Sequence, residues 1–252
     1  MYNKKEDSGM KKSLRLPILA GCILTALFLT GAGIRCTSII PAGGDAAVKL
    51  PNDPPVVALT FDDGPKPETT VRLLDALALR EIPATFFLVG EFIPGNEALI
   101  KRMASEGHQI GVHSYSHIEL TDLSRSDFDF EVTQTRSLIR SILGEGEYWL
   151  RPPYGILDDS VVNWADSPII LWSLDPEDWK DRDTQRIIDD VLSRVRDGDI
   201  LLFHDIYDSS ADAVIRITDA LLDQGYCFTT VEQLLRSRNI PIENGRIYRS
   251  AG

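Results

Sequence analysis

The sequence is poor in cysteine and histidine, with three Cys and four His among 252 residues. Cys22, Cys36 and Cys227 lack the even number and regular spacing of a disulfide framework or a thiolate metal cluster. Any metal site must therefore use nitrogen and oxygen ligands. The sequence also lacks internal repeats and low-complexity blocks. Its 43% hydrophobic and 25% charged residues are typical of a globular protein with a buried core.

Positive charge is scarce outside the N-terminal segment. The formal net charge is −12, and residues 1–34 hold five Lys/Arg against two Asp/Glu, so residues 35–252 carry a formal charge of −15. A body this acidic would repel the phosphates of nucleic acids, which bind through Lys and Arg. We therefore expect no nucleic-acid partner.

Residues 16–34 contain no charged side chain and follow a basic segment, residues 1–15. Nineteen helical residues span roughly 30 Å, about the thickness of a bilayer's hydrocarbon core, and a basic flank favours the cytoplasmic side. We expect this hydrophobic helix to anchor the chain in the membrane, with the remainder extracytoplasmic. A cleaved signal peptide, which would yield a secreted protein, and a lipoprotein site at Cys22 are the alternatives.

Pro and Gly residues between positions 35 and 53 predict a linker. Residues 54–240 contain the signals of one folded domain. Residues 241–252 are short and polar, and we expect them to form a tail on the surface.

Seven short runs rich in β-branched and aromatic residues alternate with amphipathic stretches, which predicts an α/β fold with a parallel sheet. No Gly-rich phosphate loop follows the first run, so a barrel is favoured over an open doubly wound sheet. Fewer than 190 residues are too few for eight full β-α units, so we predict a distorted, seven-stranded (β/α) barrel. The predicted strands are 56–62, 84–90, 109–114, 148–152, 168–174, 199–205 and 226–231, and the predicted helices include 68–80 and 184–196.

Polar residues cluster directly after five of the predicted strands. The carboxyl ends of barrel strands form one rim, where barrel enzymes assemble their active sites. We therefore expect these five segments to converge in space. They are residues 60–65, 113–117, 151–155, 175–179 and 202–205.

His113 and His117 stand four residues apart. On a helical turn both imidazoles would point the same way, and a carboxylate from a neighbouring strand would complete a His-His-Asp set for a divalent ion. The adjacent acids Asp62 and Asp63 would repel each other without a nearby cation or donor. This repulsion is resolved if one acid binds the metal and the other takes part in proton transfer. The alternatives are two surface histidines on a loop and an Asp-Gly-Pro turn with solvated acids. They leave the occurrence of the histidine pair together with the acid pair unexplained. His108 has no partner in sequence and is interpreted as structural.

These segments resemble the five motifs of the polysaccharide deacetylases of carbohydrate esterase family 4, which share the NodB-homology fold. The motifs match in order across roughly residues 55–236, so the resemblance covers nearly all of the chain after the N-terminal segment. It implies that residues 54–240 are the catalytic domain. The matching segments are 60–65, 113–117, 151–155, 175–179 and 202–204.

The resemblance also implies roles for individual residues. Asp62 would be the catalytic base, held in place by Arg151, and His204 would be the general acid, kept protonated by Asp178. The backbone N–H of Tyr154 would help to stabilise the oxyanion. Trp179 and Leu202 would wall the pocket for the acetyl methyl group, and Asp63, His113 and His117 would bind a divalent ion, zinc first, with cobalt, manganese or nickel as alternatives.

A metal-dependent hydrolase that removes N-acetyl groups from N-acetylglucosamine residues of an extracellular polysaccharide is the activity that the resemblance implies. Export favours peptidoglycan as the substrate, with chitooligosaccharide or acetylxylan deacetylation as alternatives. Hydrolysis of a non-sugar amide and a catalytically silent wall-binding module are two further readings. We expect a monomer whose partners are a peptidoglycan or chitin-like glycan and, through the N-terminal segment, the membrane.

Overall fold

A computed structural model describes residues 53–252. The predicted basic segment 1–15, the hydrophobic segment 16–34 and all but the last residue of the linker 35–53 lie outside the described residues. Within residues 53–252, no helix combines the length and the apolar character needed to cross a membrane.

Strands and helices alternate along the described chain, as the hydrophobic pattern predicts. The strands are β1 (Val56–Asp62), β2 (Thr85–Leu88), β3 (Gln109–Val112), β4 (Ile169–Ile170), β5 (Ile200–His204), β6 (Cys227–Thr229) and β7 (Ile247–Tyr248). The helices are α1 (Pro67–Leu79), α2 (Glu97–Ser105), α3 (Arg125–Leu143), α4 (Asp159–Trp164), α5 (Asp178–Asp181), α6 (Thr184–Arg194), α7 (Asp208–Asp223) and α8 (Val231–Ser237), with 3₁₀ turns at Gly90–Phe92 and Pro153–Gly155.

Strand β1 is the centre of a five-stranded parallel sheet. The order is β3-β2-β1-β5, and β6 pairs with the first half of β1. Every residue of β1 is buried, as expected for a parallel strand with both faces covered. The β1–β5 register places Asp62 opposite His204. The sheet thus brings together two candidate site residues that are distant in sequence.

The predicted seven-stranded barrel is only partly right. The parallel α/β architecture is confirmed, but β4 pairs with β7 in a separate two-stranded sheet. Isolated bridges, Val112 to Leu150 and Leu150 to Ile169, stand where a closed barrel would have ladders. The predicted strand 148–152 shrinks to the bridge at Leu150 because Pro152 and Pro153 follow it, and proline cannot donate a ladder hydrogen bond.

The segment after residue 240 is not the surface tail that its polarity suggests. Ile247 pairs with Ile169 in the β4–β7 ladder, and the Tyr248 side chain is buried. The Ala251 N–H donates to the Gly198 carbonyl at 2.8 Å. A strand of two residues is too short to show an alternating pattern, so sequence reasoning missed it.

Candidate metal and acid-base site

Two adjacent acids begin the site at the carboxyl end of β1. Asp62 is the last residue of the strand, and Asp63 turns the chain with a positive φ of 72°. A Cβ on the next residue, Gly64, would clash with the carboxyl oxygens of Asp205. The turn therefore needs glycine at this position, because a larger residue would force the buried Asp205 carboxyl aside.

His113 and His117 lie together, as predicted, but not on a helical turn. The segment after β3 is a loop in which Ser114 and His117 adopt left-handed backbone conformations, with φ of 61° and 55°. These two positions curl the loop so that the imidazole centroids are 5.1 Å apart. Left-handed Ser and His are uncommon, and the strain lies at a functional loop, where such conformations concentrate.

The three predicted metal ligands come together. One ligand atom each from Asp63, His113 and His117 lie within 4.8 Å of one another. Oδ1 of Asp63 is 3.0 Å from Nε2 of His117 and 3.5 Å from Nε2 of His113. Nδ1 of His113 is 2.7 Å from the Arg151 carbonyl oxygen, and a carbonyl only accepts, so Nδ1 carries the proton. Nε2 of His113 is then left as the atom that can bind a metal.

The electrostatics of Asp63 suit a cation ligand. Burial opposes ionisation, but the neighbouring imidazoles of His113 and His117 outweigh it and hold the pKa of this carboxyl well below its ordinary value. Two imidazole nitrogens and one ionised carboxylate on one side form a set that divalent transition metals accept while leaving positions open. The residues present therefore fit the divalent ion that the sequence predicts.

Asp62 is held by a buried arginine. Nη1 of Arg151 donates to Oδ1 of Asp62 at 2.8 Å and to Oγ1 of Thr60 at 2.7 Å. The guanidinium also donates to two backbone carbonyls, and its central carbon lies 4.2 Å from the Phe87 ring centroid. With its position fixed on every side, Arg151 holds Asp62 as predicted. The other carboxylate oxygen, Oδ2, lies 3.6 Å from Nε2 of His113.

His204 and Asp178 form a second hydrogen-bonded pair. Nδ1 of His204 is 2.7 Å from Oδ1 of Asp178, whose other oxygen accepts from the His204 N–H at 2.9 Å and from the Ser210 hydroxyl at 2.5 Å. Burial alone would lower the pKa of His204. The hydrogen bond and charge of Asp178, together with the charges of Asp62 and Asp63, raise the pKa to about 9. A pKa of about 9 favours the protonated imidazole of His204 at neutral pH in the metal-free protein.

Substituting Asp178→Asn should lower the pKa of His204 in the metal-free protein from about 9. Below that pKa the imidazolium exists because the Asp178 charge offsets the cost of burial, and Asn supplies no charge. Two-dimensional NMR titration of the imidazole resonances measures the shift. A pKa that stays at about 9 in the variant would show that Asp178 is not its cause.

The predicted substrate-contacting residues stand around this pair and the histidine loop. Leu202 is buried in β5, two residues before His204, whereas the Trp179 side chain on α5 is 47% exposed. Tyr154 has a left-handed φ of 61°, and its hydroxyl donates to the His117 carbonyl at 3.3 Å. Tyr154 therefore borders the candidate metal ligands, and the acetyl pocket formed by Trp179 and Leu202 stays a prediction.

His108 lies away from the site, as the sequence interpretation expects. It precedes β3, and its Nδ1 accepts the Ala84 backbone N–H at 3.0 Å. Burial lowers the pKa of His108 to about 4. It is therefore a neutral structural residue.

Sequence reasoning missed Glu131, which holds the histidine loop. This buried carboxylate on α3 accepts the backbone N–H groups of Tyr115 and Ser116 at 2.8 and 2.9 Å, and the Ser116 hydroxyl at 2.7 Å. Thr135, one turn later, donates to the Ser114 carbonyl at 2.9 Å. A charged residue on the buried face of an amphipathic helix is the sequence signal that could have found it.

Asp205 is a second buried acid that sequence reasoning left without a role. It directly follows His204, is 1% exposed, and accepts a hydrogen bond from the Thr70 hydroxyl through Oδ2. Burial is the main cause that raises the pKa of Asp205 to about 7, and the nearby charge of Asp63 adds to it. Asp205 packs against Gly64 and so braces the turn that carries Asp62 and Asp63.

Comparison with known proteins agrees with this geometry. The family model described as polysaccharide deacetylase matches residues 49–167. A peptidoglycan-N-acetylmuramic acid deacetylase of Bacillus subtilis is 43% identical over 179 residues, which is 71% of this chain and 38% of the relative. A peptidoglycan-N-acetylglucosamine deacetylase of Listeria monocytogenes is 37% identical over 194 residues, 75% of this chain and 42% of the relative. The chain thus spans less than half the length of these two relatives.

A shorter relative is matched over nearly its whole length. A chitooligosaccharide deacetylase of Sinorhizobium fredii is 35% identical over 196 residues, 71% of this chain and 91% of the relative. Among solved structures, a family 4 acetyl xylan esterase of Clostridium thermocellum in complex with a cobalt ion superposes with a TM-score of 0.74. It is 32% identical, and the match covers 77% of this chain and 98% of the esterase.

Proposed function

The chain belongs to the polysaccharide deacetylase family, and we propose that it is a metal-dependent hydrolase that removes N-acetyl groups from N-acetylglucosamine residues of peptidoglycan. The observation that carries this proposal is the grouping of Asp63, His113 and His117 beside Asp62, with His204 opposite Asp62 in the β1–β5 register. One edge of one sheet thus offers cation ligands, a carboxyl group held by Arg151 and an imidazole paired with Asp178.

Zn²⁺ is the ion we propose for the Asp63, His113 and His117 set. Bound there, it would supply Lewis acidity, which makes a water molecule more acidic and polarises the acetyl carbonyl. Imidazole and carboxylate ligands also accept cobalt, manganese or nickel, and a solved family member holds a cobalt ion. The metal identity therefore needs a measurement of bound metal.

Two side chains of the protein, Asp62 and His204, carry out the proton transfers. Oδ1 of Asp62 is occupied by Arg151, so Oδ2 is the oxygen left to accept a proton from the attacking water. Nδ1 of His204 is occupied by Asp178, so Nε2–H is the donor to the departing amine nitrogen. Water adds to the carbonyl carbon, the carbon–nitrogen bond breaks, and the products are acetate and an amine. Each transfer contributes about 10²- to 10⁴-fold in rate.

Peptidoglycan is the substrate we infer, in preference to chitooligosaccharide or acetylxylan. The first two relatives are named as peptidoglycan deacetylases and are 43% and 37% identical to this chain. The chitooligosaccharide deacetylase, at 35% identity, keeps chitin-like glycans as the alternative.

An extracytoplasmic location fits this substrate. Residues 16–34 are uncharged and follow five basic residues, a pattern that favours a membrane anchor with its basic end in the cytoplasm. We propose that the domain reaches the wall either from this anchor or as a secreted protein after cleavage of the leader.

Acetate release by the purified protein tests the proposal. We expect release from peptidoglycan strands, its loss after treatment with a chelator, and its return when Zn²⁺ is added. An Asp63→Ala variant should neither bind the ion nor release acetate, because it lacks the anionic ligand. Glycan binding without acetate release by the metal-loaded protein would favour a silent wall-binding module instead.

A further inference from the structure

Arg182 stands beside the general acid and has no role in the mechanism above. It directly follows α5, the short helix that carries Asp178, and its backbone is left-handed, with φ of 57° and ψ of 30°. Its guanidinium carbon lies 4.2 Å from the centroid of the Tyr207 ring, and that ring is 6.1 Å from the His204 ring. The Tyr207 ring thus lies near both the Arg182 guanidinium and the His204 imidazole.

No carboxylate within residues 53–252 forms an ion pair with Arg182, although acids surround it in sequence. Asp181 binds Arg186 at 2.6 Å. Asp183 caps α6 through its side chain, and Asp208 binds Arg72 at 3.1 Å. The acids nearest to Arg182 in sequence and next to Tyr207 are therefore already engaged by other groups.

The neighbouring basic residues differ from Arg182 in this respect. Lys180 binds Glu177 at 2.8 Å, and Arg186 binds Asp181. Arg182 alone in this segment is exposed to solvent, stacked on an aromatic ring and without an anionic partner. A planar guanidinium fixed in this way is suited to bidentate binding of a carboxylate, and little side-chain entropy is lost when the anion binds.

We propose that Arg182, supported by Tyr207, is a binding site for a carboxylate carried by the glycan substrate. This inference rests on the proposed function and makes the substrate class more specific. Peptidoglycan offers such groups close to its acetamido sugars: the lactyl carboxylate of a muramic acid without a stem peptide, and the peptide carboxylates where a stem peptide is attached and the lactyl carboxyl is an amide. Chitin oligomers carry none. Arg182 would thus favour muramic-acid-containing glycans over neutral ones in a body of otherwise negative charge.

Kinetics on three substrates test this site: peptidoglycan strands with stem peptides, the same strands stripped of peptides, and chitotetraose. In Arg182→Gln we expect KM for the carboxylated strands to rise about tenfold, which is the loss of one charge-assisted contact of about 1.4 kcal/mol. The KM of this variant for chitotetraose should stay within about twofold of the wild-type value. Arg182→Lys, which keeps the charge without the fork, should recover part of the loss. Lys180→Gln, which removes a charge from α5 just before Arg182, is the matched control and should leave KM for all three substrates unchanged.

The pattern across substrates decides the outcome. A rise in KM on the stripped strands alone assigns the lactyl carboxylate, which is free only there, and a rise on strands with peptides alone assigns a peptide carboxylate. A rise on both kinds of strand shows that Arg182 accepts either carboxylate. Each of these results supports the site. An equal rise in KM for chitotetraose, or no rise for any substrate, would overturn the proposed carboxylate site. Calorimetric binding of the strands to wild type and Arg182→Gln gives a second readout that does not need turnover, so a protein that releases no acetate would count against the proposed function alone.

Discussion

Replacing His204 with alanine is expected to lower kcat by about 100-fold or more while leaving the content of bound metal unchanged. The expectation follows from the separation of two groups of residues. The candidate ligands are Asp63, His113 and His117, whereas Nδ1 of His204 is engaged by Asp178. Loss of a positioned general acid costs about 10²- to 10⁴-fold in rate. Steady-state acetate release and metal analysis of the same preparation measure both quantities.

His108→Asn is the matched control for His204→Ala. His108 is also buried, but it accepts the Ala84 N–H at 3.0 Å outside the site, and the Asn side-chain oxygen can accept that hydrogen bond instead. The control should keep its kcat within about threefold, well below the effect of losing a general acid. If His204→Ala loses its metal together with its activity, His204 belongs among the ligands and the proposed assignment is wrong.

Asp62→Asn is expected to lower kcat by about 10²- to 10⁴-fold, again with the metal retained. Asn keeps an oxygen that can accept from Nη1 of Arg151, which donates to Asp62 at 2.8 Å, so the fold and the guanidinium should stay in place. It loses the basic oxygen that accepts a proton from water. Acetate release with a metal-content measurement tests this, and the thermal unfolding midpoint shows whether the variant is folded.

Asp175→Asn serves as the control for Asp62→Asn. Asp175 lies near His204, and burial raises its pKa, and its side chain accepts the Glu177 N–H at 2.7 Å. Asn can accept that bond, so the control should change kcat little. Equal losses in the two variants would show that any change of charge near His204 slows the reaction and that Asp62 has no special role.

The convergence of polar residues was predictable because it depends on a regular feature of parallel sheets. Asp62 and His204 end neighbouring parallel strands in register, and carboxyl ends of such strands meet at one edge. The continuous apolar runs were enough to predict β1 with its observed bounds. The matching of five ordered motifs then supplied the individual roles, which composition and periodicity alone could not assign.

The local backbone of the histidine loop could not be read from spacing. A separation of four residues suggests a helical turn, but Ser114 and His117 are left-handed. Glu131 on α3 holds the two residues between them, Tyr115 and Ser116, by hydrogen bonds. Such support depends on how a helix packs against a loop, and one sequence contains no direct record of it. The closed barrel was wrong for a related reason: the number of strands does not determine whether the last ladders form.

Buried acids were the other class of residue that sequence reasoning could not place. Asp205 follows His204 directly and reads as one more polar residue of the rim. Asp205 is in fact buried, lies against Gly64 and accepts a hydrogen bond from Thr70 on α1, and its burial raises its pKa. Long-range contacts of this kind separate a residue that braces the site from one that performs chemistry.

Anomalous diffraction from crystals of the zinc-loaded protein is the most direct test of the central claim, that three distant residues bind one ion beside Asp62 and His204. The account predicts one strong peak at about 2.0–2.2 Å from Nε2 of His113, Nε2 of His117 and a carboxylate oxygen of Asp63, with His204 outside the ligand set. A zinc-loaded crystal with its peak bound by other residues, or with His204 among the ligands, would contradict the account.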